Sequence, residues 1–323
     1  MRKSRRLFSV LLTICLTLSG CAASRPAANE EVASAVKPEL PQKLGKGEDG
    51  VPELQVYDVE DDEIEEMDLE EYVEGVVAGE MKNDWPLEAL KAQAILARTF
   101  VLKFCDTKQS RYEGADISTS VEEAQAYAPQ NVNDRIEQAV EETRGIVMSS
   151  EGEYPYAWFF AHAGGTTELP SVALDYKNSD PEYLSVVESP DSPKAPDDVK
   201  RWTATFTLDQ VKTACKTAGL KVDSVRSVEA GEKGESGRLK TLLVNGESVS
   251  APSFRIAIGA NVLKSTLIDD ISVEDGKVTF TGSGFGHGVG MSQWGAYALA
   301  EEGRSAEEIV RHYFQGVDLV KMW

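Results

Sequence analysis

The sequence predicts an α+β fold, with mixed helices and mostly antiparallel strands in a single large domain. Apolar residues recur every three or four positions over residues 69–77 and 87–104, which indicates helices. Beyond residue 202, short alternating segments are typical of strands. Because strands and helices do not alternate regularly, a parallel sheet is not expected. The length of 323 residues leaves room for two subdomains around a binding groove.

Local signals place the elements along the chain. Asp68, followed three residues later by Glu71, forms a capping box for the first helix, and Gly79 is expected to end it. Pro86 suits the first turn of the second helix. The other expected elements are a strand at 54–57, a helix over 133–144, strands at 145–148, 156–160 and 203–206, a helix over 208–218, strands at 225–228, 239–244 and 278–280, and a last helix capped by Ser305 and Glu308.

The charge balance excludes one class of partner. The chain has a formal net charge of -21, so a phosphate polymer gains no electrostatic attraction from it. We therefore expect no nucleic acid partner, and a ligand that is neutral or held by local groups. The acidic run 60–66 lacks the glycine-containing spacing of a calcium loop and is interpreted as a solvated edge.

The N-terminus has the pattern of an export signal. A basic stretch precedes the apolar run 7–18, which is too short to span a membrane comfortably. The following Leu18-Ser19-Gly20-Cys21 resembles the lipobox of bacterial lipoproteins. This resemblance implies removal of residues 1–20, lipidation of Cys21 and an extracytoplasmic location on the outer face of the cell membrane. An ordinary cleaved signal that ends near Ala22 or Ala23, without a lipid, is the alternative.

Composition also predicts the domain boundary. Residues 21–51 have no apolar period and are expected to form a flexible acidic tether, so the folded domain is expected over residues 52–323.

Two cysteines, Cys105 and Cys215, lie in that domain. They could form one disulfide or remain separate buried thiols, because both lie in apolar helical stretches.

Glu80 is the candidate catalytic residue. It is expected between the first two helices, beside the apolar side chains of Met81 and Trp85. Partial desolvation there would raise the carboxyl pKa, which a general acid needs in order to be protonated near neutral pH. On these local features alone, a surface or capping role at the helix end is the alternative.

Two long motifs resemble one known family. The opening motif, EYVEGVVAGEM at 71–81, is followed by WPLEALKAQA at 85–94 and ART at 97–99, and the closing motif is GFGHGVGMSQWGA at 284–296. Both resemble the stage II sporulation protein D family, as do shorter blocks at 161–168, 183–186 and 236–238. The resemblance covers about residue 52 to the C-terminus and leaves out the tether and the lipobox.

This resemblance implies a peptidoglycan lytic transglycosylase. Members of the family cut the β-1,4 bond between N-acetylmuramic acid and N-acetylglucosamine and leave a 1,6-anhydro end. The match places the catalytic glutamate at Glu80, which would act as acid and then as base without water or a cofactor. The family also includes relatives described as amidase enhancers, so a glycan-binding protein that modifies a cell-wall amidase is the alternative. Peptidoglycan strands, that amidase and the membrane are the expected partners.

Six further residues are candidates for glycan binding: Gln93, Arg98, His162, His287, Ser292 and Gln293. Gln93 and Arg98 are five positions apart and lie on different faces of the second helix. The alternative places Gln93 in solvent and pairs Arg98 with an acid. His162 precedes two glycines that permit close approach of a sugar, or it is a satisfied core histidine.

The glycine-rich segment 282–290 lacks the Gly-Lys-Ser or Gly-Lys-Thr of a phosphate loop. Its glycines would let backbone amides and His287 approach the glycan. Ser292 would begin the helix that carries Gln293 and Trp294, with Trp294 in the core rather than on a sugar. Glu168 is the main rival acid and is expected to be solvated at a loop end.

No metal site is expected. Some members of the family bind zinc through cysteines and a histidine just before a Gln-x-Tyr sequence, but residues 116–127, which end in Gln125-Ala126-Tyr127, contain neither residue type. The three histidines of the chain are widely spaced, so ligands at tetrahedral spacing are missing. Sporulation members also tend to carry an N-terminal membrane helix instead of a lipobox, so membership does not imply a sporulation role.

Overall fold

The computed structural model describes residues 35–323. The expected signal segment, the lipidation site Cys21 and the first part of the expected tether lie outside the described residues. Within residues 35–323, no helix combines the length and the apolar character needed to cross a membrane.

Helices and strands follow one another irregularly along the described residues. The helices are α1 (Leu69–Glu80), α2 (Leu87–Thr107), α3 (Asp134–Glu142), α4 (Pro170–Ala173), α5 (Asp197–Lys200), α6 (Leu208–Thr217), α7 (Ala251–Ile258), α8 (Gln293–Glu301) and α9 (Ala306–Tyr313). The strands are β1 (Gly45–Lys46), β2 (Pro52–Asp58), β3 (Glu63–Asp68), β4 (Ile117–Ser118), β5 (Ile146–Ser149), β6 (Phe159–Phe160), β7 (Arg201–Thr207), β8 (Val228–Ala230), β9 (Thr241–Val244), β10 (Glu247–Ser250), β11 (Ile268–Glu274), β12 (Lys277–Ser283), β13 (Met291–Ser292) and β14 (Asp318–Lys321).

The sheets are small and mostly antiparallel, which confirms the predicted α+β class. One sheet has the order β1-β2-β3, with β4 parallel to β2. Two three-stranded antiparallel sheets have the orders β10-β9-β8 and β11-β12-β7. β14 pairs antiparallel with β5, and β13 pairs parallel with β6. The last pairing brings the closing motif next to the residues that precede His162.

Buried side chains form two hydrophobic clusters within one compact unit. The first cluster includes α1, α2, α3, α8 and α9. The second cluster lies between Trp202 and Phe280 and includes β7, α6, β9, α7 and β12. Cys105 belongs to the first cluster and Cys215 to the second, and both thiols are buried and unpaired. Of the two alternatives for these cysteines, the structure has separate thiols.

The helix signals at both ends of the domain are largely confirmed. Asp68 caps α1 by accepting a hydrogen bond from the backbone N–H of Glu70, but the expected capping box with Glu71 is not formed. α2 begins directly after Pro86. The capping box of Ser305 and Glu308 is present at α9. Gly79, however, lies inside α1 and does not end it. Its role is in packing, as described for the candidate site.

The expected tether extends too far toward the domain. The hydroxyl of Ser149 donates a hydrogen bond of 2.6 Å to the carbonyl oxygen of Val36. β1 pairs with β2 through Gly45 and Lys46. These contacts show that residues 36–51 belong to the folded unit, because an extended segment can satisfy its backbone groups on the edge of a sheet without any apolar period.

A buried ion pair joins α1 to α2. Nη2 of Arg98 lies 2.6 Å from Oε2 of Glu70, and both side chains are almost completely enclosed. Oε1 of Glu70 also accepts hydrogen bonds of 2.9 Å from the backbone N–H of Gly145 and from Nε1 of Trp323. Arg98 donates a further bond of 2.9 Å to the carbonyl oxygen of Ile146. One carboxylate therefore connects both helices, the start of β5 and the C-terminus.

We predict that Glu70→Gln lowers the free energy of unfolding by about 3–5 kcal/mol, because it leaves the Arg98 guanidinium buried without a counter-charge. Urea unfolding followed by circular dichroism measures this change. Glu71→Gln is the matched control, since Glu71 is the exposed neighbour on the same helix, and we expect a change within about 0.5 kcal/mol. Equal stabilities of the two variants would contradict the prediction.

Candidate active site

Glu80 lies at an open cleft. It is the last residue of α1, and it lines a cleft of about 450 Å³ together with Met81, Asn83, Asp84 and Asn131, among others. The helix end directs the chain into the short connection to α2, so the carboxyl group stands at the rim of the first cluster and not within it. A ligand can therefore reach this side chain from solvent.

Two opposing influences act on the carboxyl group of Glu80. Burial raises its pKa above the ordinary glutamate value, while the hydrogen bond from the backbone N–H of Ala126 and the nearby side-chain amide of Gln293 partly lower it. The Ala126 N–H lies 2.7 Å from Oε1 of Glu80. The group is thus protonated at a higher pH than an exposed glutamate, and its anion has a donor already in place.

Two glycines on α1 let the donor segment approach. Gly75 and Gly79 are one helical turn apart and face Ala126 and Tyr127. A Cβ atom at Gly79 would lie 2.6 Å from the carbonyl carbon of Ala126, and one at Gly75 would collide with the Tyr127 ring. The backbone N–H of Ala128 donates a bond of 2.9 Å to the carbonyl oxygen of Gly75. The absence of side chains on this face brings the Ala126 N–H to Glu80.

Gln93 and Gln293 lie beside Glu80. Nε2 of Gln293 donates a bond of 3.2 Å to the backbone carbonyl oxygen of Glu80 and lies 3.5 Å from Oε1 of Gln93. Gln93 is fully buried, so the alternative that it faces solvent is wrong. Among the described residues, its Nε2 has no hydrogen-bond partner. The structure brings these two candidates from the opening and closing motifs together at the candidate acid.

Arg98 has a structural position. Its guanidinium is fully buried and bonded to Glu70 and to the carbonyl oxygen of Ile146. This geometry supports the alternative in which Arg98 pairs with an acid, and a direct contact with glycan would require α2 to move. We therefore assign Arg98 no ligand contact.

His162 and Ser292 meet at a buried carboxylate, Asp191. The Ser292 hydroxyl donates a bond of 2.6 Å to Oδ1 of Asp191, and Nδ1 of His162 lies 3.3 Å from Oδ2. Nδ1 also accepts a bond of 3.0 Å from the backbone N–H of Gly164. Burial lowers the pKa of His162, and the Asp191 charge only partly opposes this shift. Ser292 also caps α8, as its sequence position predicts.

The glycine-rich loop packs against protein groups. A Cβ atom at Gly288, whose φ is +92°, would collide with the buried guanidinium of Arg238. Arg238 donates to the carbonyl oxygens of Thr166 and Ala163 at 2.7 and 2.5 Å. This glycine thus accommodates a buried cation, a role the sequence does not indicate.

His287 is held in this loop by its neighbours. Its Nδ1 accepts a bond of 3.0 Å from the backbone N–H of Val289. Burial among protein groups, with Arg255 and Arg238 nearby, lowers the pKa of His287 to about 3. The ring is therefore neutral at physiological pH, and it could contact a sugar through hydrogen bonds but not through charge.

Trp294 lies in the core. It is buried and packs on Trp85 at a ring-centroid distance of 4.5 Å, which confirms the predicted position.

Glu168 was expected to be solvated, but the structure shows that it is buried. Its Oε2 accepts bonds of 3.0 and 2.7 Å from the backbone N–H and the hydroxyl of Ser236. Its carboxylate is enclosed by local donors, and a ligand cannot reach it without rearrangement.

The sequence analysis did not identify three groups that the structure distinguishes, of which the first two contact candidate site residues. The backbone N–H of Ala126 has no sequence signature, and Asp191 stands in an ordinary polar turn. Glu74, half-buried on α1, has its pKa raised to about 7 by burial and by nearby acids including Glu137. The acidic residues around Glu74 were the signal in the sequence that could have indicated this shift.

Comparisons with known proteins divide the domain into two matched regions. Residues 57–149 match the family described as stage II sporulation protein. Residues 170–290 match a domain of unknown function, DUF8618. The first region contains Glu80 with its donor segment, and the second contains Asp191, Arg238 and the second cluster.

Three relatives are similar to this chain over most of its length. Stage II sporulation protein D of Bacillus amyloliquefaciens is 35% identical over 279 residues, which are 82% of this chain and 77% of the relative. The protein of the same name from Bacillus subtilis (strain 168) is 31% identical over 283 residues, covering 82% and 78%. The amidase enhancer of Bacillus subtilis (strain 168) is 30% identical over 301 residues, covering 76% of this chain and 40% of the relative.

We predict that Gly79→Ala lowers the free energy of unfolding by about 1–3 kcal/mol, because the new methyl group would overlap the Ala126 carbonyl. Alanine is the better helix former by about 1 kcal/mol, so an unobstructed position would show the opposite sign. Urea unfolding of the two proteins decides between these outcomes. A variant more stable than the wild type would show that the glycine is not needed for the approach of residues 126–127.

Glu80 should also make stability depend on pH. Because its pKa is raised in the folded state, the folded protein holds this proton to higher pH than the unfolded chain, and stability falls as the pH rises through the folded pKa. Glu80→Gln removes that loss. Unfolding free energies measured between pH 4 and pH 8 should therefore increasingly favour the variant as the pH rises. A difference that does not change with pH would contradict this prediction.

Proposed function

Because the chain belongs to the stage II sporulation protein D family, we propose that it is a peptidoglycan lytic transglycosylase with Glu80 as its general acid and base. The reaction would break the β-1,4 bond between N-acetylmuramic acid and N-acetylglucosamine. The products would be a 1,6-anhydro end and a free 4-hydroxyl group. A function in the bacterial cell wall is the broader statement that the family and the amidase enhancer relative support.

The reaction needs one carboxyl group in two protonation states. Protonated Glu80 would donate its proton to the glycosidic oxygen as the bond from that oxygen to C1 breaks. The muramyl C6 hydroxyl would then form a bond to C1 on the same sugar, and the Glu80 carboxylate would accept the hydroxyl proton. Glu80 ends the cycle protonated, and no water is consumed.

The environment of Glu80 is the observation that carries this proposal. Burial favours the protonated acid that begins the reaction, and the Ala126 N–H, 2.7 Å from Oε1, stabilises the carboxylate that completes it. Burial raises the pKa and the hydrogen bond limits that rise, which suits a group that must first donate a proton and then accept one near neutral pH. The open cleft gives a polymer access to this group.

Two neighbouring amides support the assignment. Gln293 bonds to the backbone of Glu80, and Gln93 lies against Gln293, so both can hold the helix end in place. His162 and His287 remain predicted glycan contacts, and as neutral rings they would offer hydrogen bonds to acetamido or hydroxyl groups. The proposal also retains Cys21 as a lipid anchor on the outer face of the membrane.

The amidase enhancer is the second candidate function. The relative of that name is 30% identical to this chain, although the matched region is 40% of the relative. In this alternative the cleft would bind glycan and the partner would be a cell-wall amidase. Glu80 would then have no chemical role, so the two candidates differ in their products.

Mass spectrometry of soluble products tests the reaction. The purified chain is incubated with intact and with peptide-stripped peptidoglycan, and we expect anhydro-ended fragments from the wild type. Glu80→Gln should reduce their rate of release by about 100-fold or more, because the acid and base is lost. Glu74→Gln is the matched control: it changes a glutamate of the same helix whose pKa is also raised, but which does not line the cleft.

Asp84 supplies a second control, because it is the other acid that lines the cleft. A hydrolase would use such a second carboxylate to activate water and would release reducing ends instead of anhydro ends. Reducing ends that disappear in Asp84→Asn would therefore refute the transglycosylase reaction. Binding to the wall without any release would favour the amidase enhancer.

A further inference from the structure

A second, smaller pocket lies at the C-terminal end of α2. It has a volume of about 210 Å³ and shares no lining residue with the cleft at Glu80. Gln93 lies beside Glu80, whereas Lys103 lines the small pocket further along the same helix, roughly 15 Å away at the rise of an α-helix. The pocket is therefore separate from the candidate acid. Its aromatic lining comes from Phe100, Phe104, Tyr156, Trp158 and Tyr176.

Three of these aromatic side chains form an ordered wall. Tyr156 and Trp158 are stacked, with ring centroids 4.6 Å apart and an angle of 11° between their planes. Tyr176 meets both edge-on, at 6.2 Å from Tyr156 and 5.8 Å from Trp158. Tyr156 is 36% exposed. A partly exposed aromatic wall offers a flat surface to the C–H face of a ligand ring.

The pocket is lined by two lysines and no acid, although Lys108 also lines an adjoining cavity that contains Glu39 and Asp106. Nζ of Lys103 lies 5.5 Å from the centroid of the Tyr156 ring, and Nζ of Lys108 lies 5.7 Å from that of Phe104. None of the described lining residues is acidic, and neither lysine forms an ion pair within residues 35–323. The whole chain, by contrast, has a net charge of -21. Two unpaired cations beside aromatic rings therefore select for an anionic ligand.

We propose that this pocket binds a pyranose that carries a carboxylate, with the sugar ring on the aromatic wall and the carboxylate near Lys103 and Lys108. The identity of the sugar rests on the proposed function. In a glycan strand freed of its peptides, the pyranose that carries a carboxylate is N-acetylmuramic acid, through its lactyl group. A neutral sugar lacks the group that the lysines attract, and a cationic ligand is repelled by them.

The position of the pocket gives the binding a purpose distinct from cleavage. A strand held at its muramyl carboxylate would be kept near Glu80 while successive bonds are cut, because one bound unit raises the local concentration of the others.

Ligand-observed NMR with the purified chain tests the proposal. The probes are N-acetylmuramic acid, its methyl ester and N-acetylglucosamine, which differ only in the carboxylate or the lactyl group. We expect N-acetylmuramic acid to bind about five-fold more tightly than either neutral probe. Higher salt should reduce that preference, because the lysines are near solvent.

Variants locate the binding. The double variant Lys103→Gln, Lys108→Gln should lose the preference for the carboxylate, and Tyr156→Ala should weaken all three probes. Lys216→Gln is the matched control, because Lys216 is an exposed lysine on α6, in the region of the second cluster. It should bind like the wild type. Equal binding of N-acetylmuramic acid and its methyl ester, or an unchanged preference in the double variant, would overturn the proposal.

The outcome is independent of the cleavage reaction. Glu80→Gln should keep the full preference for N-acetylmuramic acid, since Glu80 does not line this pocket. A chain that binds the carboxylate selectively but releases no anhydro product would refute the transglycosylase and leave the pocket supported. A chain that cleaves glycan but shows no carboxylate preference would refute the pocket alone.

Discussion

The buried pair of Glu70 and Arg98 is the interaction on which the candidate site depends. Glu70 is in the first turn of the helix that ends in Glu80, and Arg98 is on the helix that carries Gln93. A buried ion pair tolerates little displacement, because each charge would otherwise remain desolvated without a partner. The same carboxylate holds Gly145 and Trp323. The pair thus fixes the relative placement of two helices, and with it the acid and the amides beside it.

The properties of Glu80 follow from packing rather than from its immediate sequence. The first cluster desolvates the carboxyl group, and the glycine face of α1 lets a backbone N–H reach Oε1. The first effect raises the pKa, and the second partly reverses this shift. A donor from the backbone is well suited to this role, since its position is set by the fold and it cannot change protonation state. An acid that must also act as a base benefits from both effects.

The closing motif has a structural role in addition to any contact with ligand. Gly288 leaves space for the Arg238 guanidinium, and Ser292 joins the cap of α8 to the buried Asp191. Gln293, the next residue, reaches the backbone of Glu80. The closing motif, which the sequence analysis interprets as a sugar-binding segment, therefore also connects the region of the second cluster to Glu80. Its residue types alone did not separate these roles, because glycine and serine serve both in loops at ligand sites and in tight packing.

The amino-acid sequence predicts the α+β class, the starts of α1, α2, α3, α6, α8 and α9, and a place for Glu80 between the first two helices. It does not predict α7 or the inclusion of Glu80 in α1. The predicted features depend on caps and apolar spacing among residues within a few positions of one another. Contacts between distant segments decide which atoms reach the Glu80 carboxyl group. Its hydrogen-bond donor is Ala126, 46 positions away, and Gln293, 213 positions away, bonds to its backbone. The pairing of Arg98 with Glu70, the enclosure of Glu168 and the return of residues 36–51 to the domain were likewise decided by packing. A backbone donor and a buried partner have no local sequence signature, because their contacts form only when distant segments fold together.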